Sequence, residues 1–290
     1  MKRVLISGAG GFIARQIART LKVSNFYVIG ISRNPKKDEY FDEIFQGTLG
    51  KSVSIIYDTY KIDTIIHCAY DKDGSDDINI MGTILWAEEA EKNCVNLQIF
   101  ISSISAEENS ISIYGQQKFT IEKWFISHNH LVFRPGLVIG NGGLFKKILI
   151  GMKKYPILPL INNGNFSTYI TDINTLCNII KTVITEEKPI ERGKLYNIQQ
   201  KTPVLLIDLM KEIRKTYNFS CIFIPVPYFF VLYILYVIEK INLFKLDINT
   251  NNLKGLKQNS MKVMETQLDY FDCNEIEINI MIKKLFDEQE

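Results

Sequence analysis

The sequence predicts an α/β fold built on a mostly parallel, doubly wound sheet, and three observations carry that expectation. A short apolar run, Val4-Leu5-Ile6-Ser7, ends in a turn crowded with glycine, Gly8-Ala9-Gly10-Gly11. The apolar spacing then becomes helical through Ile13, Ile17, Ala18 and Leu21. Further strand-like runs recur at helix-length intervals down the first two thirds of the chain, and such alternation needs crossover helices between parallel strands.

Each element follows from local pattern. Tyr27-Val28-Ile29-Gly30-Ile31-Ser32 reads as a second buried strand, and Thr64-Ile65-Ile66-His67-Cys68-Ala69 as another that runs into a turn at Tyr70. Asp77-Ile78-Asn79 leads into a helix through Trp86 and Ala90. Leu97-Gln98-Ile99-Phe100-Ile101 is the next strand, with the Ser102 and Ser103 hydroxyls at its C-terminal end. In open α/β sheets that end of the strands is where ligands sit. A polar loop precedes Ile113-Tyr114-Gly115-Gln116-Gln117-Lys118, which opens a helix through Trp124 and Phe125. His130-Leu131-Val132-Phe133-Arg134 is a strand stopped by Pro135-Gly136.

After Asn141 the pattern loosens. Lys146, Lys147, Lys153 and Lys154 suit a solvated helix face, with a substrate diphosphate as the other reading. Residues 156–159 and 162–165 read as loop and turn. A helix capped by Thr171 or Asp172 carries Leu176, Ile179, Ile180 and Val183. Residues 195–198 are expected to return to the main sheet, so a first domain of 1–165 interleaves with a substrate region of 166–290. Residues 228–238 form a nearly unbroken apolar run after Pro225 and Pro227. It is too short to span a bilayer; a buried or interfacial helix is expected, with the packed core helix ahead of the interfacial one.

Composition excludes several classes. The chain has 290 residues, 46% hydrophobic, with a formal charge of +2. There is no basic signature for nucleic acid. The five cysteines, Cys68, Cys94, Cys177, Cys221 and Cys273, show neither metal-ligand spacing nor a disulfide framework. They read as reduced thiols, so no metal is expected and a cytoplasmic setting is. Met1-Lys2-Arg3 runs straight into the first strand, so no signal peptide is expected.

The glycine turn is the chemical centre. Gly8, Gly11 and Ala14 fall three apart, a spacing that lets backbone N–H groups and the positive end of a helix face a pyrophosphate. Arg33 follows the second strand, where a carboxylate would accept from the 2′-hydroxyl of NAD and an arginine suits a 2′-phosphate. Arg33, helped by Lys36 or Lys37, therefore favours NADP(H), with NAD(H) left open. Tyr114 and Lys118 are one helical turn apart and share a face. An ammonium beside a phenol favours phenolate, which brings tyrosine toward acid–base use near neutral pH.

Taken in order, Gly8-Ala9-Gly10-Gly11-Phe12-Ile13-Ala14, His67-Cys68-Ala69-Tyr70, Asn79 with Gly82-Thr83, Ser102-Ser103, Tyr114 with Lys118, and Arg134-Pro135-Gly136-Leu137 resemble the extended short-chain dehydrogenase/reductases. The type is the NAD(P)-dependent nucleotide-sugar epimerase/dehydratase, and the likeness runs to about Asn197 and thins beyond it. The resemblance implies a Rossmann-like fold and a dinucleotide cofactor held by Gly8, Gly11, Phe12, Ile13, Arg33, Cys68, Ala69, Tyr70, Tyr114, Lys118, Pro135, Gly136 and Leu137. It implies that Ser103, Tyr114 and Lys118 carry catalysis, with Asn79 in a supporting hydrogen-bond role. Lys118 would also hold the nicotinamide ribose, and backbone groups at 135–137 would meet the carboxamide.

Departures from the family pattern narrow the reaction. Dehydratases of this kind carry Asp-Glu after the active-site hydroxyl; here Ile104 and Ser105 stand there, which argues against elimination. Glu107 replaces a frequent aromatic in a shortened loop. The expectation is an NADP(H)-dependent 4-ketoreductase of a nucleotide-linked keto sugar, ahead of a 4-epimerase. A dehydrogenase of a steroid-like or isoprenoid-like substrate, or an idle dinucleotide-binding regulator, are the remaining alternatives. A homodimer through the helices after Asn79 and Tyr114 is implied by the family alone.

Overall fold

The computed structural model describes residues 1–72, 74, 76–187, 189–241 and 250–288. The expected substrate region, 166–290, therefore includes residues that lie outside those described. The chain divides into two compact units. The first comprises 1–108, 113–135 and 173–198; the second comprises 109–112, 136–172 and 199–290. The division falls at 135/136 and 172/173, where the sequence placed a boundary at 165/166.

The first unit starts with β1 (Arg3–Ser7), α1 (Phe12–Val23), β2 (Tyr27–Ser32), β3 (Glu43–Gln46), α2 (Ser54–Thr59) and β4 (Thr64–His67). It continues with α3 (Asp76–Lys92), β5 (Leu97–Ile101), α4 (Ile113–Ser127) and β6 (Leu131–Pro135). The chain then enters the second unit with β7 (Leu137–Ile139), α5 (Gly143–Lys154), β8 (Ile157–Ile161), β9 (Ser167–Thr168) and β10 (Ile170–Asp172). It returns to the first for α6 (Ile173–Thr185) and β11 (Leu195–Ile198).

In the first unit the seven strands run β11-β6-β5-β4-β1-β2-β3, every pair parallel. The order reverses at β1, which lies between β4 and β2, and in such sheets the crevice at the reversal receives the ligand. Val4, Leu5, Ile6, Val28, Ile29, Ile65 and Ile66 are fully buried, as strands covered by helices on both faces require. One core layer gathers Leu5, Ile29, Ile56 and Trp86; another gathers Phe100, Ile121, Phe125 and Val132. Strand β11 joins β6 in register Leu195↔Val132 to Ile198↔Pro135, so the expected return to the sheet is present.

The second unit closes with β12 (Val204–Leu205), α7 (Leu206–Thr216), β13 (Ile222–Val226), α8 (Tyr228–Ile241), α9 (Thr250–Ser260) and α10 (Ile278–Asp287). Its core contains Phe145, Leu149, Met152, Ile170, Leu209, Ile213 and Ile282. The exposed lysines of α5 sit opposite its buried Phe145, Leu149 and Met152, as an amphipathic helix requires. Two expectations are corrected here. Residues 157–159, expected within a loop, belong to a strand: β8 pairs in parallel with β13, Ile224 opposite Pro159 and Pro225 opposite Leu160. A two-stranded sheet has only edges, and proline is tolerated there.

The second correction concerns α8, which is not a packed core helix. Phe229 is 75% exposed, Tyr233 66% and Tyr236 54%, while Leu235 is the buried residue among 228–240. Tyr228 meets Phe166 edge-on at 6.3 Å between centroids, and the Lys257 ammonium of α9 lies over the Tyr228 ring at 4.8 Å. A helix apolar all round has no polar side to turn outward, and the remainder of its surface is left exposed. Among the described residues no helix is long and apolar enough to cross a membrane.

Candidate active site

The site forms where β1 meets its turn. Gly8 has φ +71°, the left-handed region that glycine enters without cost. A Cβ there would sit 2.9 Å from the Ala69 backbone, so only a bare backbone fits between the ends of β1 and β4. The Ser7 hydroxyl fastens that junction, accepting from the N–H groups of Cys68 and Ala69 at 3.1 Å each. The Gly11 N–H donates to the Gly8 carbonyl at 2.7 Å and closes the turn. Ala14 is buried against the sheet, as the expected small residue should be.

Helix α1 begins at Phe12 with Gly11 as its N-cap, and no side chain caps it. The first N–H groups of an α-helix have no intrahelical acceptors, so those of Phe12 and Ile13 suit an anion in front of the turn. A cavity of about 530 Å³ opens here, lined by Gly8, Gly10, Gly11, Arg33, Ala69, Tyr70 and Asp71 among others. The glycine cradle, the orphaned donors and this volume fit a dinucleotide.

Arg33 leaves the end of β2 and its Nη1 donates to Asp71 Oδ2 at 2.8 Å. Asp71 follows β4 by four residues, so the pair bridges two strands that flank β1. Asn79 holds the Asp71 backbone from both sides: its Oδ1 accepts from the Asp71 N–H at 2.7 Å, and its Nδ2 donates to the Asp71 carbonyl at 2.9 Å. Gln117 Oε1 accepts from the Tyr70 hydroxyl at 2.8 Å and from Asn79 Nδ2 at 3.4 Å. Asn79 thus acts on the loop after β4.

Helix α4 presents Tyr114, Lys118 and Glu122 one turn apart on one face. The Tyr70 ring meets the Tyr114 ring edge-on at 4.9 Å. Burial raises the Tyr114 phenol above its ordinary range, a hydrogen bond with Ser103 pulls it down, and the charge of Glu122 adds to the rise. Lys118 is buried; its Nζ donates to the Ile101 carbonyl at 2.7 Å and lies 5.8 Å from the centre of the Tyr114 ring. Burial brings its ammonium down to about 8, against the opposing influence of Cys68 and Glu122.

The expected drop in the Tyr114 pKa is therefore corrected. Desolvation outweighs the Ser103 hydrogen bond, and the Lys118 ammonium gives its hydrogen bond to a backbone carbonyl instead of the phenol. The phenol keeps its proton at neutral pH.

Glu122, 1% exposed, accepts from Arg134 Nε at 2.6 Å and also from Nη2. Burial raises its carboxyl, and Arg134 opposes that. His67, fully buried beneath the site, bonds Gln98 through Nε2 at 3.0 Å, and burial pushes it down to about 3, so it is neutral core.

Of the remaining expected contacts, the Cys68 thiol is raised by burial to about 12 and is a thiol at neutral pH. The Pro135 carbonyl accepts from the Ile104 N–H at 3.2 Å. Gly136 and Leu137 belong to the second unit. Their N–H groups donate to Thr171 Oγ1 at 2.8 Å and to the Tyr169 carbonyl at 2.7 Å, so both donors are engaged within that unit. Asp71, Gln117 and Glu122 were not singled out from sequence. Glu122 carried a signal, since it falls one further turn along the face that Tyr114 and Lys118 define. Asp71 carried none, because its partner Arg33 is 38 residues away. Among the described residues no cluster of His, Cys, Asp and Glu could hold a metal.

The sequence matches the NAD dependent epimerase/dehydratase family over residues 4–198. The chain belongs to that family. Comparison with curated proteins gave no match. Among solved structures, the UDP-glucose 4-epimerase of Thermotoga maritima with UDP-glucose aligns with a TM-score of 0.68 at 17% identity, covering 78% of this chain and 85% of that one. The dTDP-glucose 4,6-dehydratase of Bacillus anthracis in complex with NAD gives 0.67 at 13%, covering 90% and 96%. The UDP-glucose 4-epimerase of Thermus thermophilus complexed with NAD gives 0.66 at 15%, covering 78% and 86%. At these identities the likeness establishes the fold, and with it the seven-stranded sheet of the family.

Proposed function

We propose that this member of the family is an NADP(H)-dependent oxidoreductase that reduces a keto carbon of a nucleotide-linked sugar, as a 4-ketoreductase. The observation that carries the reading is the grouping of Ser103, Tyr114 and Lys118 beside the glycine cradle, joined to it through Tyr70. A bound dinucleotide supplies the hydride. Tyr114, kept protonated by its burial, gives its proton to the carbonyl oxygen as the carbon–hydrogen bond forms. The Ser103 hydroxyl donates to the same oxygen and steadies the developing alkoxide. Lys118, protonated below about pH 8, offers a cation near the phenolate left behind.

Ile104 and Ser105, standing where a dehydratase would carry an acid–base pair, support reduction over elimination. A second reading, a 4-epimerase running oxidation and reduction in one site, rests on the same residues and on the family. Titration of the purified protein with NADPH, NADP, NADH and NAD, followed by turnover of keto sugars, tests the choice. An empty site with NADPH preference and ketone reduction is expected; tightly retained NAD overturns the reductase in favour of the epimerase. Binding of none of the four overturns both.

A further inference from the structure

We infer that Asp71 is a specificity-determining residue of the cofactor site, one that sets the balance between NADP(H) and NAD(H) against Arg33. The inference rests on the dinucleotide reading of the cavity and goes beyond it. Arg33 alone argues for a 2′-phosphate, because a guanidinium forks onto phosphate oxygens. Its guanidinium, however, is not presented alone. Asp71 lines the same cavity and accepts from Arg33 Nη1 at 2.8 Å.

The carboxylate that a NAD site needs at the ribose is usually read at the end of the second strand, where Arg33 stands here. The fold supplies one from the other side of β1, on the loop after β4. Its place is fixed, since Asn79 bonds both the N–H and the carbonyl of Asp71, and Asn79 is itself bonded to the buried Gln117 of α4. These bonds fix the Asp71 backbone, and its carboxylate, 18% exposed, is held by Arg33.

Two consequences follow from charge. A 2′-phosphate must draw Arg33 from Asp71 and then lie beside a fixed negative group, so Asp71 weakens NADP(H). A 2′-hydroxyl meets no such repulsion and can donate to a carboxylate lining the same cavity, so Asp71 strengthens NAD(H). With Arg33 the group forms a balanced pair in which each member argues for a different cofactor.

The test is the affinity of the full-length chain for NADPH and NADH, measured by titration for the wild type, Asp71→Asn and Arg33→Ala. Asp71→Asn keeps the shape and removes the charge, and is expected to raise the NADPH-to-NADH affinity ratio roughly tenfold, the equivalent of about 1.4 kcal/mol. Arg33→Ala is expected to move the ratio the other way. A ratio unchanged in Asp71→Asn overturns the role of Asp71 while dinucleotide binding stands. A wild type that binds neither cofactor overturns the reading of the cavity itself, and thermal unfolding of each variant excludes misfolding as the source of any change.

Discussion

Helix α4 buries a lysine, a glutamate and a glutamine, whereas helix α8 turns Phe229, Phe230, Tyr233 and Tyr236 outward. By residue chemistry alone the two should be placed the other way round. The difference lies in what each helix meets. The inward face of α4 finds a carbonyl at Ile101 for Lys118, a guanidinium at Arg134 for Glu122 and a phenol at Tyr70 for Gln117, so each buried polar group is satisfied. Helix α8 buries Leu235 and meets Phe166 and Lys257 through Tyr228, and its other aromatic rings stay largely exposed. Burial follows from available partners as much as from hydropathy, and a site is built where polar groups have been given partners inside.

The largest effect that would sharpen this contrast is chemical. Tyr114→Phe should retain dinucleotide affinity and lose turnover by about 10²–10⁴-fold, the usual contribution of a positioned proton donor. Full turnover in that variant would remove the chemical meaning of the α4 face. Next in size is Glu122→Ala, which leaves Arg134 without its buried partner and should cost about 3–5 kcal/mol in denaturant unfolding. A loss below about 1 kcal/mol would show that the α4 pair is solvated like a surface bridge.

Lys118 gives a smaller effect with a defined sign. Its folded pKa, about 8, lies below the ordinary lysine value of about 10.4, so the unfolded chain binds more protons between those limits. Stability contributed by this group is therefore complete above the unfolded value and is lost as pH falls toward 8, with a slope of up to about 1.4 kcal/mol per pH unit. Lys118→Met should remove that slope when its unfolding is followed from pH 7 to 10. The smallest effect belongs to α8: Phe229→Ser and Tyr233→Ser should each change stability by less than about 0.5 kcal/mol. A loss of several kcal/mol there would mean that the aromatic face is covered after all.

The site was legible from sequence to the extent that its parts are local. The glycine turn, the alternation of strands with helices and the Tyr114–Lys118 spacing are each set within a few residues by backbone freedom and helical period, and each stands where it was expected. The loop expected at 156–159 rests on Pro156 and Pro159, and only the pairing with β13 shows that Pro159 lies on a sheet edge while Pro156 stands just before the strand.

What the sequence by itself determined is therefore the sheet, the glycine turn and the shared face of Tyr114 and Lys118, since these follow from short-range sterics and hydrophobic period. What only the tertiary structure decided is how charge is balanced around them. The Arg33–Asp71 pair joins residues 38 apart, Glu122 of α4 finds Arg134 on β6, and burial raises Tyr114 where spacing to Lys118 alone would lower it. Desolvation and long-range pairing depend on which elements the fold brings together, and no local pattern in the chain encodes them.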